Sequence, residues 1–281
     1  MPKSILITGC STGGIGHALA LSFQKRGLIV FASARKLSSM SSLSTLPNVH
    51  LISLDVTSTT SVTEAFEVVK SKTGGKLDYL VNNAGQGYTM PALDADIEQG
   101  KKMFDTNFWG VLRMVQTFSP LLKEAKGTVV NIGSIVAYLN VPLTSLYNAS
   151  KAALHMLDST LRLELAPLNI SVLTVVTGAI ETSFMSNIQE PQFPPNSFYL
   201  SIEQTVKARA RGEDGYPRMK SGVFAEKVVK DVLGGKTGKV WRGENATTTW
   251  LANILLPVSI IDRIVSSGTG LTEMNQRKKV E

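Results

Sequence analysis

The sequence predicts an α/β fold, a single domain built on a doubly wound parallel sheet with helices on both faces. Three observations carry that expectation. Through about residue 176, short apolar runs alternate with longer stretches of helical length. The runs are near-continuously apolar, as strands buried on both faces of a parallel sheet should be. A glycine-rich turn also separates the first run from the first helix-length stretch, the junction at which a right-handed crossover begins. With 281 residues, 43% of them hydrophobic, one large core is affordable.

In chain order, strands are expected over residues 4–8, 28–33, 49–54, 79–81, 128–132 and 171–176, and helices over 15–26, 61–72, 100–123 and 146–165. The Ser-rich stretch 38–45 reads as a surface connection. Regularity fades after residue 182. Pro191, Pro194, Pro195 and Pro217, with a basic cluster over 207–220, predict a loop-rich substrate lid over 183–222. A helix over 223–233 and a short strand near 239–241 should follow. Residues 246–281 form an apolar and then basic C-terminal extension of the same 1–281 domain.

Composition narrows the function. The formal net charge is +7, but 29 basic and 22 acidic residues are dispersed along the chain, and no nucleic-acid partner is expected. The lone Cys10 excludes an intramolecular disulfide and fits a reducing compartment. Lys3 leads straight into a strand-sized run, so no secretory leader is expected. No metal is expected, because no His, Cys, Asp or Glu cluster has ligand spacing. His17 and His155 read as packing or surface residues. The most apolar stretch, 250–265, is interrupted by Asn253, Pro257, Asp262 and Arg263, too soon to cross a bilayer of about 30 Å. It is expected to meet a membrane surface peripherally, or to be covered by the chain's own body or by a second subunit.

The chemistry begins at Gly9, Gly13, Gly14 and Gly16. Glycines after a strand permit a tight turn and a close approach of backbone amides to phosphate, while a helix start favours negative charge. A turn of this kind can also exist without a ligand. At the end of the second strand stand Arg35 and Lys36, where an acid would hold ribose hydroxyls and a cation suits a 2′-phosphate. The expected cofactor is therefore NADPH, although two solvated loop charges would look the same. Tyr147 and Lys151 are four residues apart and share a helix face. A neighbouring ammonium and an oxidised nicotinamide would favour phenolate and lower the phenol's pKa, suiting Tyr147 to acid–base work. Ser134 follows an apolar strand and can donate to a substrate oxygen as charge builds on it.

Taken together, these motifs resemble the short-chain dehydrogenase/reductase superfamily over about residues 4–182. Its nucleotide turn is matched by Thr8-Gly9-Cys10-Ser11-Thr12-Gly13-Gly14-Ile15-Gly16. Asp55-Val56 matches its adenine-contacting position, Asn82-Asn83-Ala84-Gly85 its fourth-strand motif, and Asn107 its helix asparagine. Ser134 and Tyr147-Asn148-Ala149-Ser150-Lys151 match its active site. The resemblance implies a Rossmann-like fold and a hydride transfer from nicotinamide to a carbonyl. It implies Asn107, Ser134, Tyr147 and Lys151 as catalytic residues, with Asn107 ordering a water beside the lysine and Lys151 also holding the nicotinamide ribose. Cofactor contacts are implied for Gly9, Ser11, Thr12, Gly14, Ile15, Gly16, Arg35, Lys36, Asp55, Val56, Asn83, Ala84, Gly85, Tyr147, Lys151, Gly178, Ile180 and Thr182.

Two departures stand out. The nucleotide turn is one residue longer than usual, with Gly13 the extra one, and the usual Pro-Gly after the sixth strand is Thr177-Gly178. Within the superfamily, the long turn and the tail around Trp241-Arg242-Gly243 and Trp250 resemble fungal NADPH-dependent 1-acyldihydroxyacetone-phosphate reductases and related ketoreductases. That likeness implies an apolar or lipid-like carbonyl substrate and a cytoplasmic enzyme, peripheral at endoplasmic reticulum or lipid droplets. Phe184, Met185, Phe193, Phe198 and Tyr199 would supply an apolar wall, or simply pack the lid. A ketoreductase of specialised metabolism and a non-catalytic nucleotide-binding scaffold are the alternatives.

Overall fold

A computed structural model of the chain describes residues 2–277. Its centre is a seven-stranded sheet made of β1 (Ser4–Thr8), β2 (Ile29–Ala34), β3 (Val49–Ser53), β4 (Tyr79–Asn82), β5 (Thr128–Ile132), β6 (Ser171–Thr177) and, last in the chain, β9 (Gly238–Arg242). The strand order is β3-β2-β1-β4-β5-β6-β9 and every pairing is parallel. The order reverses between β1 and β4. In open α/β sheets that reversal opens a crevice beyond the carboxyl ends of the strands.

Successive strand residues face opposite ways, so each strand feeds two cores. Ile5, Ile7, Val130, Leu173 and Val175 meet α1 (Ile15–Gln24), represented by Leu19 and Phe23, and α7 (Ser221–Leu233), represented by Phe224, Val228 and Val232. Leu6, Leu80, Val129 and Val172 face the other way. There they meet α2 (Thr59–Thr73) through Val62 and Val69, α4 (Gly110–Ala125) through Phe118 and Leu122, and α5 (Ser145–Glu164) through Leu161. Burying each such side chain contributes about 1.5–3 kcal/mol. This is the helix-sheet-helix arrangement that the near-continuous apolar runs predict.

The helix expected over 100–123 is longer and composite. α3 (Ile97–Phe104), capped by Asp96, passes through a π-helical turn at Asp105–Trp109 into α4. Pro120 inside α4 leaves the Gln116 carbonyl without its helical donor, and the Ser119 hydroxyl donates to it at 3.0 Å. The Ser-rich connection is a 3-10 helix, Leu37–Leu43, that buries Met40 and Leu43.

The lid region is more ordered than a loop-rich reading allows. It contains α6 (Glu203–Ala210), and its two ends pair as the short parallel strands β7 (Ile180–Glu181) and β8 (Met219–Lys220). The C-terminal extension folds into α8 (Ala246–Leu255), α9 (Val258–Ser266) and α10 (Leu271–Arg277). No helix among the described residues is long and apolar enough to cross a membrane. The basic end of the extension continues into Lys278 and Lys279, which lie outside the described residues.

Candidate active site

The glycine turn follows β1, Arg35 and Lys36 follow β2, Asp55 follows β3, Asn83, Ala84 and Gly85 follow β4 and Ser134 follows β5, so these residues gather at the carboxyl ends of the parallel strands. The glycine turn between β1 and α1 is compact because two of its residues cannot carry a side chain. Gly9 has φ +73°, and a Cβ on Gly16 would stand 2.5 Å from the Gly9 carbonyl oxygen and 2.6 Å from Asn83 Nδ2. Asn83 sews this turn to β4, donating from Nδ2 to the carbonyls of Thr8 (2.8 Å) and Gly9 (3.0 Å). The Thr8 hydroxyl accepts from the amides of Asn83 and Ala84. α1 starts at Ile15 with Gly14 as its N-cap, and no side chain caps its first amides. A helix start left in that state, beside closely packed glycines, suits a diphosphate.

The extra residue of the turn has a partner. Gly13 (φ +80°) accepts the Ser183 amide at 3.1 Å, which joins the turn to the start of the lid. Thr182, whose hydroxyl accepts the Phe184 amide, is thereby brought against the same turn. Ile180 lies in β7 and packs on the first core cluster. Gly178 is glycine for a packing reason, since a Cβ there would stand 1.9 Å from the Glu244 carbonyl oxygen.

On the other side, Thr12 donates its amide and hydroxyl to the Ser39 carbonyl, and the Ser11 and Ser39 hydroxyls lie 3.1 Å apart. These bonds hold the turn beside the segment following Arg35 and Lys36. Both cations are exposed, and neither pairs with a carboxylate among the described residues. Asp55 binds the amide and hydroxyl of Thr57, while the Val56 carbonyl accepts from Arg113 at 2.6 Å. A glycine turn, an uncapped helix start and a pair of unpartnered cations form one continuous rim. That donor set fits a phosphorylated dinucleotide.

The candidate catalytic residues converge beyond β4 and β5. Ser134 follows β5 and is buried; its hydroxyl accepts the Val136 amide at 3.3 Å and lies near enough to the Tyr147 phenol to favour its ionised form. Lys151 lies one helical turn after Tyr147, with Nζ 6.0 Å from the centre of the Tyr147 ring and 3.0 Å from the Ile132 carbonyl to which it donates. Its Nζ also lies 3.9 Å from where a Cβ on Gly85 would be. Asn107, in the π-helical turn, grips both backbone polar groups of Gln86, accepting at 2.8 Å and donating at 2.9 Å, and donates to the Ser150 hydroxyl. Its side chain thus ties the loop after β4 to α5.

Burial sets the titration behaviour. It pushes the Tyr147 phenol up to about 12, with the Ser134 hydroxyl pulling the other way. In the free protein, desolvation of the phenolate therefore dominates, whereas the lowering expected from the ammonium and an oxidised nicotinamide together belongs to the loaded site. Tyr147 as a whole is of intermediate burial, so this upward shift is an upper bound. Burial also lowers the Lys151 ammonium to about 8, opposed by the Asp158 carboxylate. Asp158 is a group the sequence reading did not single out. It is almost fully buried on α5, accepts from Asn131 at 2.5 Å and from the Thr174 hydroxyl at 2.8 Å, and is raised to about 6 by burial. Asn82 in turn donates to Asn131 at 2.8 Å, so a polar chain runs through the sheet beneath the lysine.

With the site's geometry in place, comparison with known proteins is decisive. The profile of the short chain dehydrogenase family matches residues 3–192. The chain belongs to the short-chain dehydrogenase/reductase family. As a member it is an oxidoreductase that uses a nicotinamide cofactor and acts on a small molecule. The short-chain dehydrogenase ptmH of Penicillium ochrochloron is 46% identical over 96% of this chain and 99% of its own. The NADPH-dependent 1-acyldihydroxyacetone phosphate reductase of Schizosaccharomyces pombe is 37% identical over 94% of this chain and 93% of its own. Among solved structures, a Burkholderia cenocepacia short-chain dehydrogenase in complex with NADP superimposes with a TM-score of 0.72 at 26% identity, over 90% of this chain and 93% of that one.

A further feature of this short-chain dehydrogenase was not legible in its sequence. His155, one turn beyond Lys151, accepts the Ser134 amide on Nε2 at 3.2 Å. It stands where a Cβ on Gly133 would be, 2.0 Å from Nε2. Burial, then the charges of Lys151 and Lys239, holds the imidazole down at about 3, so it is neutral. Phe184 and Ile188 lean over the site: the Phe184 and Tyr147 ring centres are 6.3 Å apart, and a Cβ on Gly87 would stand 2.7 Å from Ile188 Cδ1.

Proposed function

We propose that this enzyme reduces a ketone or aldehyde on an apolar, lipid-like substrate with NADPH, and that acyl-dihydroxyacetone phosphate is within its range. The observation that carries the reading is the convergence of Ser134, Tyr147 and Lys151 beneath the apolar pair Phe184 and Ile188. Bound dihydronicotinamide would supply the hydride that the carbonyl carbon accepts. The rest falls to this chain. Ser134 donates a hydrogen bond to the carbonyl oxygen and orients it. Tyr147, still protonated at neutral pH, passes its hydroxyl proton to that oxygen as the carbon is reduced. Lys151, charged below about pH 8, stabilises the phenolate left behind.

NADPH rather than NADH is supported by Arg35 and Lys36 at the rim, and by the printed names of the fission-yeast relative and the NADP-bound neighbour. The apolar substrate is supported by the Phe184 and Ile188 wall. The test is oxidation of NADPH, followed by absorbance, over a panel of long-chain ketones and aldehydes, soluble short-chain carbonyls and acyl-dihydroxyacetone phosphate. Turnover is expected for the apolar members, with kcat/KM rising with chain length. Tight NADPH binding without turnover of any carbonyl would favour the scaffold alternative.

A further inference from the structure

The C-terminal extension turns an apolar face outward while being held firmly from behind. α8 and α9, joined at Pro257, expose Trp250, Leu251, Ile254, Leu255, Val258 and Ile264, with Ile254 at 62% and Leu255 at 71%. Only Ile261 of α9 is buried. Asp262 accepts from Asn140 at 3.0 Å, which fastens α9 to the loop between Ser134 and Tyr147. Further on, Leu271 and Met274 pack on Ile202 and Val206 of the lid. The extension is thus tied to the loop between Ser134 and Tyr147 through α9 and to the lid through α10. A monomer rarely leaves so continuous an apolar surface without a use for it.

A second feature adjoins it. Beside the start of α8 lies a cleft of about 360 Å³ lined by Lys227, Lys230, Asp231, Lys236, Arg242 and Thr247. Its one carboxylate, Asp231, is shared between Arg242 and Lys236 at 2.7 Å each. Lys227 and Lys230 are exposed and have no carboxylate partner among the described residues. Thr247 opens the α8 face on which Trp250, Leu251 and Ile254 follow at three, four and seven residues, so the apolar face and the basic cleft run into each other.

We propose that this composite surface docks the protein onto an anionic lipid surface. The apolar side chains enter the boundary between headgroups and acyl chains, Trp250 sits at headgroup level, and the cleft receives lipid phosphate. The charge distribution selects this occupant over a second copy. A two-fold interface sets the same patch against itself and would bring two cation-rich clefts together. The inference concerns a surface apart from the reacting groups and does not depend on which carbonyl is reduced.

Flotation of the full chain with two kinds of vesicle tests it: phosphatidylcholine alone, and phosphatidylcholine with phosphatidylglycerol. The intact chain should float with the phosphatidylglycerol vesicles and be released by high salt. Lys227→Ala with Lys230→Ala should lower the partition coefficient about thirty-fold, at about 1 kcal/mol per cation near the surface. Ile254→Ser with Leu255→Ser should abolish flotation. Both double variants should keep the thermal midpoint and the turnover of a soluble aldehyde. Absence of flotation by the intact chain would overturn the proposal, as would flotation unchanged in either double variant. A sedimentation dimer that Ile254→Ser with Leu255→Ser dissociates, without any vesicle binding by the intact chain, would assign the face to self-association instead.

Discussion

The imidazole of His155 holds the backbone amide of Ser134 at 3.2 Å and fills the space that a side chain on Gly133 would need. Ser134 is therefore positioned by a helix residue one turn beyond Lys151, and Gly133 is the condition for it. Gly133→Ala is expected to cost about 1–3 kcal/mol by overpacking and to lower kcat by more than tenfold. Adding His155→Ala should restore most of the lost stability but not the orientation of Ser134. Denaturant unfolding and steady-state kinetics on the single and double variants measure this. A Gly133→Ala enzyme as stable and active as the parent would show that the contact does not matter.

Tyr147→Phe keeps the ring against Phe184 and removes the proton. Turnover is expected to fall by about 10²–10⁴-fold with little change in the dissociation constant for NADPH. Fluorescence titration and single-turnover kinetics separate the two. Residual reduction within a few fold of wild type would remove Tyr147 from its assigned role.

The lysine gives the pH dependence its sign. Burial holds Lys151 at about 8 in the folded protein against its ordinary 10.5, so above about 8 the folded state sheds a proton that the unfolded state keeps. Folding is then favoured as pH rises from about 8 to 10.5, and at neutral pH the buried charge costs stability. Lys151→Met is expected to stabilise the free protein at pH 7 by about 1 kcal/mol or more while destroying activity. Reduction needs the ammonium, so kcat/KM for NADPH should fall above about pH 8. Asp158→Asn removes the charge that props the lysine up and should move that limb to lower pH. A limb that stays in place in Asp158→Asn would uncouple the two groups.

At the rim, Arg35→Asp exchanges a cation for a ribose-binding acid. A charge-assisted hydrogen bond of about 1.5–3 kcal/mol predicts a loss of about 10–100-fold in NADPH affinity, with NADH affinity held or improved. Dissociation constants for both cofactors check it. Equal binding of NADH and NADPH by the wild type would sink the assignment of Arg35.

The sheet and its flanking helices were readable because strands buried on both faces leave apolar runs that little else imitates. The site motifs were readable because a turn, a strand end and a Tyr-x-x-x-Lys helix face are local patterns. The misses are of another kind. Asp158 looks like any polar residue in a helix until Asn131 and Thr174 arrive from two strands. His155 looks like packing until Gly133 is seen to make room for it. The burial that raises the phenol of Tyr147 in the free protein is equally invisible in a Tyr-x-x-x-Lys pattern. β7 and β8 are two residues each and lie at opposite ends of a proline-rich excursion. No periodicity can announce such a pair.

That small pair has a consequence for how such enzymes diversify. Ile180 lies against Met219 and Glu181 against Lys220, so the excursion between them starts and ends at one place, braced on its way by Ser183 at Gly13 and by Ile202 and Val206 under Leu271 and Met274. Length and sequence inside this excursion can change without displacing a strand of the main sheet or a group that handles the proton. It is a cassette with a clasp. Grafting the equivalent stretch beyond Phe184 from a relative should transplant substrate choice while leaving the reducing machinery, and the Ser183 contact to the nucleotide turn, in place.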